Sequence, residues 1–130
     1  MRIELKKGCF KIDVYKIDVE LYICEDPLKV TAKVNAIYKR DKEKDLISFP
    51  CHGYTFCTNK NHRKYYIILS LKDLDVNTIT HETDHLRNFI ISFNSILEND
   101  DAREASANLN GYINERVFKF LDKYKIPFKF

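Results

Sequence analysis

Apolar and polar residues alternate along Cys9–Ile23 with the period of two that is typical of a β-strand. The alternation slips by one residue near its middle, which indicates either one bulged strand or two strands joined by a tight hairpin. Asp26-Pro27 follows and predicts the start of a helix, with aspartate as N-cap and proline at the first helical position. Apolar residues at helical spacing extend this helix to about Lys39.

The middle of the chain predicts further strands. The charged run Arg40–Asp45 is predicted to be a loop, and Leu46–Phe49 is a short apolar segment that could add a strand. Tyr54–Leu71 holds two β-prone segments on either side of a polar turn, so we expect a hairpin there. The first half of the chain is therefore predicted to form a strand, a helix, and then two or three strands.

The period becomes helical after this hairpin. Either Asp75 or Asn77 can cap a helix whose apolar positions continue to Leu97. A short break at Glu98–Asp101 precedes a last helix, Ala102 to about Tyr124. Because so short a segment joins the two helices, we expect them to pack side by side and antiparallel.

The composition is that of one globular domain spanning residues 1–130. Apolar residues make up 45% of the 130 residues and charged residues 32%, and a chain of this size can bury a core without disulfides. The four cysteines are therefore predicted to be reduced thiols. The longest apolar run, Tyr65–Leu69, is far shorter than the ~20 residues that cross a bilayer, so we expect no membrane partner. Charges at Glu4, Lys6 and Lys7 stand where a secretory signal needs an apolar stretch, so secretion by a signal peptide is not expected.

The charge balance does not call for a nucleic-acid partner. Lys and Arg number 22 against 19 Asp and Glu, which gives a net charge of +3, and the two signs alternate along most of the chain. Basic stretches at 39–44, 60–64 and 119–129 are predicted to be solvated faces.

The most informative motif is His81-Glu82-Thr83-Asp84-His85, an HExxH sequence inside a predicted helix. Residues four apart share one face of a helix, so His81 and His85 can present two imidazole nitrogens to a single zinc ion. Glu82 then stands beside the open coordination position, where it can take a proton from water. The alternative is a plain polar helix face, which the rarity of HExxH in a chain with four histidines disfavours.

The next helix offers the remaining groups of a hydrolytic site. Glu104, with 18 residues between it and His85, is the predicted third zinc ligand, although Asp101-Ala-Arg-Glu104 also matches a capping box. Asn108, one turn later, could orient a ligand, or it could be an ordinary surface amide. Tyr112 could donate its hydroxyl to an oxyanion, or it could be part of the core.

A second group of metal-binding residue types lies between the predicted strands. It comprises Cys51, His52, Cys57 and His62. A structural zinc knuckle is conceivable, but the short C-x₂₋₄-C spacing is missing, so we expect no second metal there. His52 could equally line the cleft.

These motifs resemble the zincin metallopeptidases whose third zinc ligand is a glutamate on the following helix. More narrowly, the sequence is similar to small metallopeptidases encoded by tailed bacteriophages. The resemblance rests on Gly53-Tyr-Thr-Phe, Tyr66-Ile-Ile-Leu, Thr78–His85 and Glu104–Ile113. It implies an α+β, zincin-like minimal domain in which a small, mostly antiparallel sheet packs on the HExxH helix and on the following long helix. It also implies Zn²⁺ as cofactor, and a cleft in which the strand Tyr65–Leu71 pairs with an extended peptide.

The resemblance makes a zinc-dependent peptidase the first functional expectation, with Glu82 as general base and then as proton donor to the leaving amine. The expected location is the cytoplasm of a bacterial host or the phage particle. The alternative is a virion structural or assembly protein, a connector or tail component on a zincin-like scaffold, which would bind other phage structural proteins. Its docking face would comprise Lys119, Phe120, Lys123, Tyr124, Phe128 and Phe130. A third and weaker possibility is a nucleic-acid-binding module that uses Lys60, Arg63, Lys64 and Tyr65 of the hairpin.

Overall fold

The computed structural model of the chain describes residues 2–93 and 100–130, and all of their side chains except those of Val14 and of residues 100–107. In chain order, the elements are β1 (Glu4–Ile12), β2 (Ile17–Cys24), α1 (Pro27–Arg40), β3 (Gly53–Thr58), β4 (Asn61–Ser70), α2 (Val76–Phe93) and α3 (Asp100–Lys123). The fold class is α+β, as predicted. No helix within the described ranges has both the length and the hydropathy needed to cross a bilayer.

Four strands form one mixed sheet in the order β1-β2-β4-β3. β1 pairs antiparallel with β2, and β3 pairs antiparallel with β4. The central pairing of β2 with β4 is parallel, so the sheet is mixed, with two of its three pairings antiparallel in agreement with the expected mostly antiparallel sheet. The order of the elements explains the parallel pairing: after α1, β3 begins level with the end of β2 and runs antiparallel to it, and the β3–β4 hairpin then returns β4 in the direction of β2.

The prediction that Tyr65–Leu71 borders a substrate cleft is wrong. Residues 65–70 belong to β4, whose two edges are paired with β2 and β3, and the Leu71 amide donates to the Cys24 carbonyl, so this main chain has no free edge for a peptide. The strand at this side of the sheet is β3, Gly53–Thr58, and its outer edge is unpaired within the described residues.

Helices cover both faces of the sheet. On one face, α1 packs with Val30, Val34 and Ile37 against a cluster that includes Tyr66 and Ile68 of β4. On the other face, α2 and α3 bury a larger cluster, which contains Tyr65, Ile67, Leu69, Ile79, Leu86, Ile90, Leu109, Ile113 and Val117. Because β4 is buried on both faces, its sequence is a continuous apolar run rather than an alternating one.

Turns and caps account for the boundaries of the elements. The slip in the first alternation is a hairpin: a 3-10 turn, Asp13–Tyr15, ends at Lys16 in the left-handed region with φ of 54°. The Asp26 carboxylate caps α1 by accepting a hydrogen bond from the Lys29 amide at 2.9 Å. Asp75, not Asn77, caps α2 by accepting from the Thr78 amide at 2.7 Å.

Helices α2 and α3 are antiparallel, as predicted. The Thr83 hydroxyl of α2 donates a 2.9 Å hydrogen bond to the Asn114 side chain of α3. Thr83 lies ten residues before the end of α2 and Asn114 fourteen residues after the start of α3. Helices continuing in one direction would separate the two side chains by about 36 Å at 1.5 Å per residue, so the chain must double back. Of the predicted break at 98–101, residues 98 and 99 lie outside the described ranges, and residues 100 and 101 already belong to α3, which begins two residues earlier than predicted.

The segment 46–52 is not a strand, but it is fixed to α1. The Asn35 side chain accepts from the Ile47 amide at 2.9 Å and donates to the Ile47 carbonyl at 2.8 Å. The Thr31 hydroxyl donates to the Phe49 carbonyl at 2.6 Å. These bonds set the path of the chain into β3.

Candidate metal and catalytic site

Helix α2 places the two histidines of the HExxH motif side by side. Their Nε2 atoms are 3.0 Å apart, and both side chains are exposed. Two nitrogens bound to one tetrahedral zinc at about 2.0–2.1 Å lie about 3.3 Å from each other, so the pair fits two positions of a zinc site with little movement. In the absence of a cation, the same distance fits a hydrogen bond between neutral rings, with one Nε2 as donor.

Glu82 lies in the same turn of α2 as the histidines, but its carboxylate points into the protein, and only 5% of the residue is exposed. Its Oε1 atom accepts a 2.7 Å hydrogen bond from the Thr55 hydroxyl of β3. The same hydroxyl lies 3.1 Å from the Glu82 carbonyl oxygen and has one proton to share between the two acceptors. Thr55 therefore holds Glu82 at both its side chain and its main chain.

Gly53 leaves the space that Glu82 occupies. A Cβ atom at this position would lie 2.8 Å from Glu82 Cγ and 3.2 Å from its Oε2. The backbone of Gly53 is not in the left-handed region, so close approach and not conformation is the reason for glycine here. Gly53 and Thr55 are site residues that sequence reasoning did not assign, although both lie in the Gly53-Tyr-Thr-Phe segment.

These groups share an open cleft of about 420 Å³ between α2 and the start of β3. Phe49 and Pro50 form part of its wall, held in place by the bonds from 46–52 to α1. The cleft is lined by Phe49, Pro50, Cys51, Gly53, Tyr54, Thr55, His81, Glu82, His85 and Phe89. Its lining thus combines the charged and titratable groups of a hydrolytic site with apolar side chains that can contact a substrate.

The third metal ligand is not placed by the structure. The side chain of Glu104 lies outside the described residues, so its role as a ligand stays a prediction. Among the residues that the structure does describe, no group of three His, Cys, Asp or Glu side chains could hold a metal ion. The described residues therefore supply two imidazoles at a spacing that suits one zinc ion, without a third protein ligand among them.

The described half of α3 meets α2 away from the imidazoles. Thr83, which contacts α3, is two residues from each of His81 and His85 and so lies about 160° from both around the axis of α2, at 3.6 residues per turn. Asn108 is exposed, and no hydrogen bond joins it to either histidine, all three being described side chains.

Tyr112 is not brought to the histidines. Its hydroxyl donates a 2.7 Å hydrogen bond to the Lys11 carbonyl of β1, and its ring packs edge-to-face on Phe10 with centroids 6.4 Å apart. β1 is the edge of the sheet opposite to β3. The expectation that Tyr112 donates to an oxyanion is therefore not supported by its position, since its proton is used to attach α3 to β1.

The second group of metal-binding residue types is dispersed. Cys51 lines the cleft, its thiol lies 3.6 Å from the Phe49 carbonyl, and burial raises the pKa of this thiol. Burial also raises the pKa of Cys57 in β3. The His62 ring packs on Phe93 near the end of α2, with centroids 4.9 Å apart.

The basic side chains of the hairpin proposed for nucleic-acid binding each contact a polar group of the protein. Tyr65 is fully buried in the core, so its ring cannot stack on a base. Lys60 lies 3.9 Å from the Asp41 carboxylate and Lys64 lies 3.3 Å from that of Glu20. Arg63 donates to the Tyr15 carbonyl. This part of the third possibility is not supported by the structure.

Comparisons with protein-family profiles, with curated proteins and with solved structures found no significant match. The function is therefore inferred from the residues of the site.

Proposed function

We propose that this chain is a zinc-dependent peptidase with a zincin-like fold, in which His81, His85 and Glu104 hold the metal. The observation that carries the proposal is the convergence of the His81 and His85 Nε2 atoms, 3.0 Å apart, at the mouth of the cleft that also contains Glu82. When bound, zinc supplies a Lewis acid that acts on the substrate carbonyl and on water.

Glu82 is the general base of this proposal. The Thr55 hydroxyl donates a 2.7 Å hydrogen bond to its Oε1 atom, so Oε2 is left to accept a proton from the attacking water. The same oxygen then delivers the proton to the leaving amine. Holding one carboxylate oxygen fixes the direction of the other, which preorganises the proton transfer.

The proposed substrate is an extended peptide segment lying along β3. The outer edge of this strand is unpaired within the described residues and begins at Gly53, which touches Glu82. Main-chain hydrogen bonds to such an edge bind peptides with little dependence on sequence. Tyr54, Phe49 and Phe89 of the cleft wall would contact the apolar side chains of the peptide.

The test measures metal content and hydrolysis in the same preparations. Protein purified without added metal should contain about one zinc per chain and cleave a labelled unfolded protein. Glu82→Gln should keep the zinc and lose activity by at least about a hundredfold, because an amide cannot accept the proton. His81→Ala and His85→Ala should lose the zinc, whereas the control His62→Ala, in β4 with its ring packed on Phe93 at the far end of α2, should keep it.

Two results would refute the proposal. Full zinc content in the double variant His81→Ala/His85→Ala would refute the metal site. Undiminished proteolysis by Glu82→Gln would refute the role of the carboxylate.

The alternative of a virion assembly protein receives less support from the structure. The docking face expected for this alternative includes Phe120 and Phe128. In the structure, Phe120 packs over Gly8 of β1 and Phe128 packs on Phe118, so both rings already have contacts within the chain. Phe130, by contrast, is completely exposed. Light scattering that showed a stable ring, together with absence of hydrolysis, would favour this alternative.

A further inference from the structure

A second groove lies on the other side of the molecule, between β1 and the C-terminal half of α3. Its volume is about 470 Å³. It is lined by Lys7, Gly8, Cys9, Phe10, Leu21, Arg116, Lys119, Phe120, Lys123 and Tyr124, with four cations and no carboxylate among them. We propose that this groove, hereafter the basic groove, binds single-stranded nucleic acid through its phosphates, independently of the peptidase site.

The charge of the basic groove is only partly neutralised by the protein. Lys7 is paired with Glu20 at 3.1 Å and Lys119 with Glu115 at 2.9 Å. For Arg116 and Lys123, no carboxylate lies within ion-pair distance in the part of the chain that the structure describes, and both side chains are exposed. These two cations differ in this respect from Lys60 and Lys64 of the hairpin, so the groove offers unpaired charge to a polyanion.

Aromatic rings accompany these cations. Arg116 lies 5.9 Å from the ring centroid of Tyr112, and Lys123 lies 5.4 Å from that of Tyr124. Lys6 of β1 approaches the Tyr124 ring from the strand side, at 5.1 Å. Both tyrosines are more than one third exposed. Surfaces that bind single strands without sequence preference combine cations for the backbone with rings for the bases.

The shape of the groove depends on Gly8. A Cβ atom at this position would lie 2.5 Å from two ring carbons of Phe120, so the ring lies directly on the strand. This contact forms the floor of the groove and places the cations of α3 beside β1. An acidic peptide could use the same charge but would have no need of the rings, so the aromatic side chains favour nucleic acid.

The test measures binding of a labelled oligothymidylate of about twelve nucleotides by fluorescence anisotropy, between about 50 and about 200 mM salt. Wild-type protein should bind with a dissociation constant of about 10⁻⁶–10⁻⁴ M, and its affinity should fall as salt rises. Arg116→Gln/Lys123→Gln should bind at least about tenfold more weakly and reduce the salt slope by about 1.4, since each single-strand phosphate contact contributes about 0.7. The matched control, Lys60→Gln/Lys64→Gln, removes the same charge and should bind as wild type does.

The aromatic part of the proposal has its own variants. Tyr124→Phe should bind as wild type, and Tyr124→Leu should bind about tenfold more weakly, because stacking requires the ring but not the hydroxyl. Circular dichroism would verify that each variant is folded. Binding should persist in Glu82→Gln, which separates this proposal from the peptidase.

The proposal is overturned if the oligonucleotide does not bind at low salt, or if the hairpin control weakens binding as much as the groove variant. It is also overturned if a polyglutamate peptide binds more tightly than the oligonucleotide and responds to the same groove substitutions. The latter result would assign the groove to acidic peptides.

Discussion

Thr55 is the side chain on which the geometry of Glu82 depends. One buried hydroxyl touches both the carboxylate and the carbonyl of Glu82, at 2.7 and 3.1 Å, and thereby joins the edge strand β3 to helix α2. Hydrogen bonds to a charged acceptor are stronger than those to neutral ones, and a buried carboxylate oxygen without a donor is costly.

Thr55→Val should therefore impair catalysis more than folding. We expect kcat to fall by about tenfold to a hundredfold, which is part of the contribution of a positioned general base, while zinc content stays unchanged. Thr55→Ser keeps the hydroxyl and should retain most of the activity. Steady-state kinetics with zinc analysis of the three proteins measures this. An unchanged kcat in Thr55→Val, or a larger loss in Thr55→Ser, which lacks only the methyl group, would show that packing of the methyl group, and not the hydrogen bond, is what matters.

The sequence indicates which residues of α2 form the candidate site, but not which strand residues contact them. His81, Glu82 and His85 follow from the HExxH spacing, because a helix brings residues four apart onto one face. Thr55 and Gly53 approach Glu82 from a strand 27 or more residues earlier in the chain. No local periodicity specifies which strand residue meets a helix, so these two required the tertiary structure.

At the scale of elements, Asp41 connects the end of α1 to the hairpin. Its side chain is only 5% exposed, pairs with Arg40 at 3.1 Å, and accepts a 2.7 Å hydrogen bond from the Thr58 hydroxyl of β3. The hydrogen bond from Arg40 and then that from Thr58 lower the pKa of the Asp41 carboxyl from its usual 3.8, against the effect of burial. These contacts fix β3 relative to α1 and so hold one wall of the cleft.

Asp41→Asn should destabilise the fold by about 1–3 kcal/mol at neutral pH, since hydrogen bonds to a charged group are lost. The pKa of Asp41 is lower in the folded than in the unfolded state, so its contribution is complete above pH 3.8 and disappears as pH falls through the lowered pKa. Urea unfolding of both proteins at about pH 7 and about pH 3 measures the difference. A difference in free energy of unfolding that is the same at both values would contradict the assignment to the carboxylate.

Most of the elements could be predicted from the sequence, because their signals are local. Asp26-Pro27 starts α1, and Asp75 caps α2, as their side chains suggested. The order of the strands could not be predicted in the same way. The apolar run of β4 is compatible with either an edge or a centre, and only its pairing on both sides shows that it is central.

At the scale of the whole molecule, the register between α2 and α3 bears on the proposed role of Glu104. The contact between Thr83 and Asn114 sets the register of the two helices. Position 104 precedes Asn114 by ten residues, or about 15 Å along the helix. In an antiparallel pair this places position 104 level with about Phe93, roughly 12 Å along α2 from His85, so a ligand at 104 requires the start of α3 to shift towards the histidines when zinc binds.

Glu104→Gln should lower zinc affinity by at least about a hundredfold, the direction expected when one of three protein ligands loses its charge. Glu115→Gln, on the exposed face of the same helix, is the control and should leave it unchanged. Competition with a chromophoric chelator measures both. Equal affinity of Glu104→Gln and wild type would assign the third position to another residue.

The two edge strands of the sheet, β1 and β3, differ in how well their main chain is protected from pairing with another chain. β1 carries three lysines, whereas β3, with the sequence Gly-Tyr-Thr-Phe-Cys-Thr, carries no charge. Lysines on an edge strand disfavour pairing with a strand of a second chain, and an uncharged edge strand lacks this protection. The strand proposed to bind a substrate is thus also the strand to which a second copy of the protein can add. Self-association at high protein concentration should therefore compete with peptide for the main-chain amides of β3.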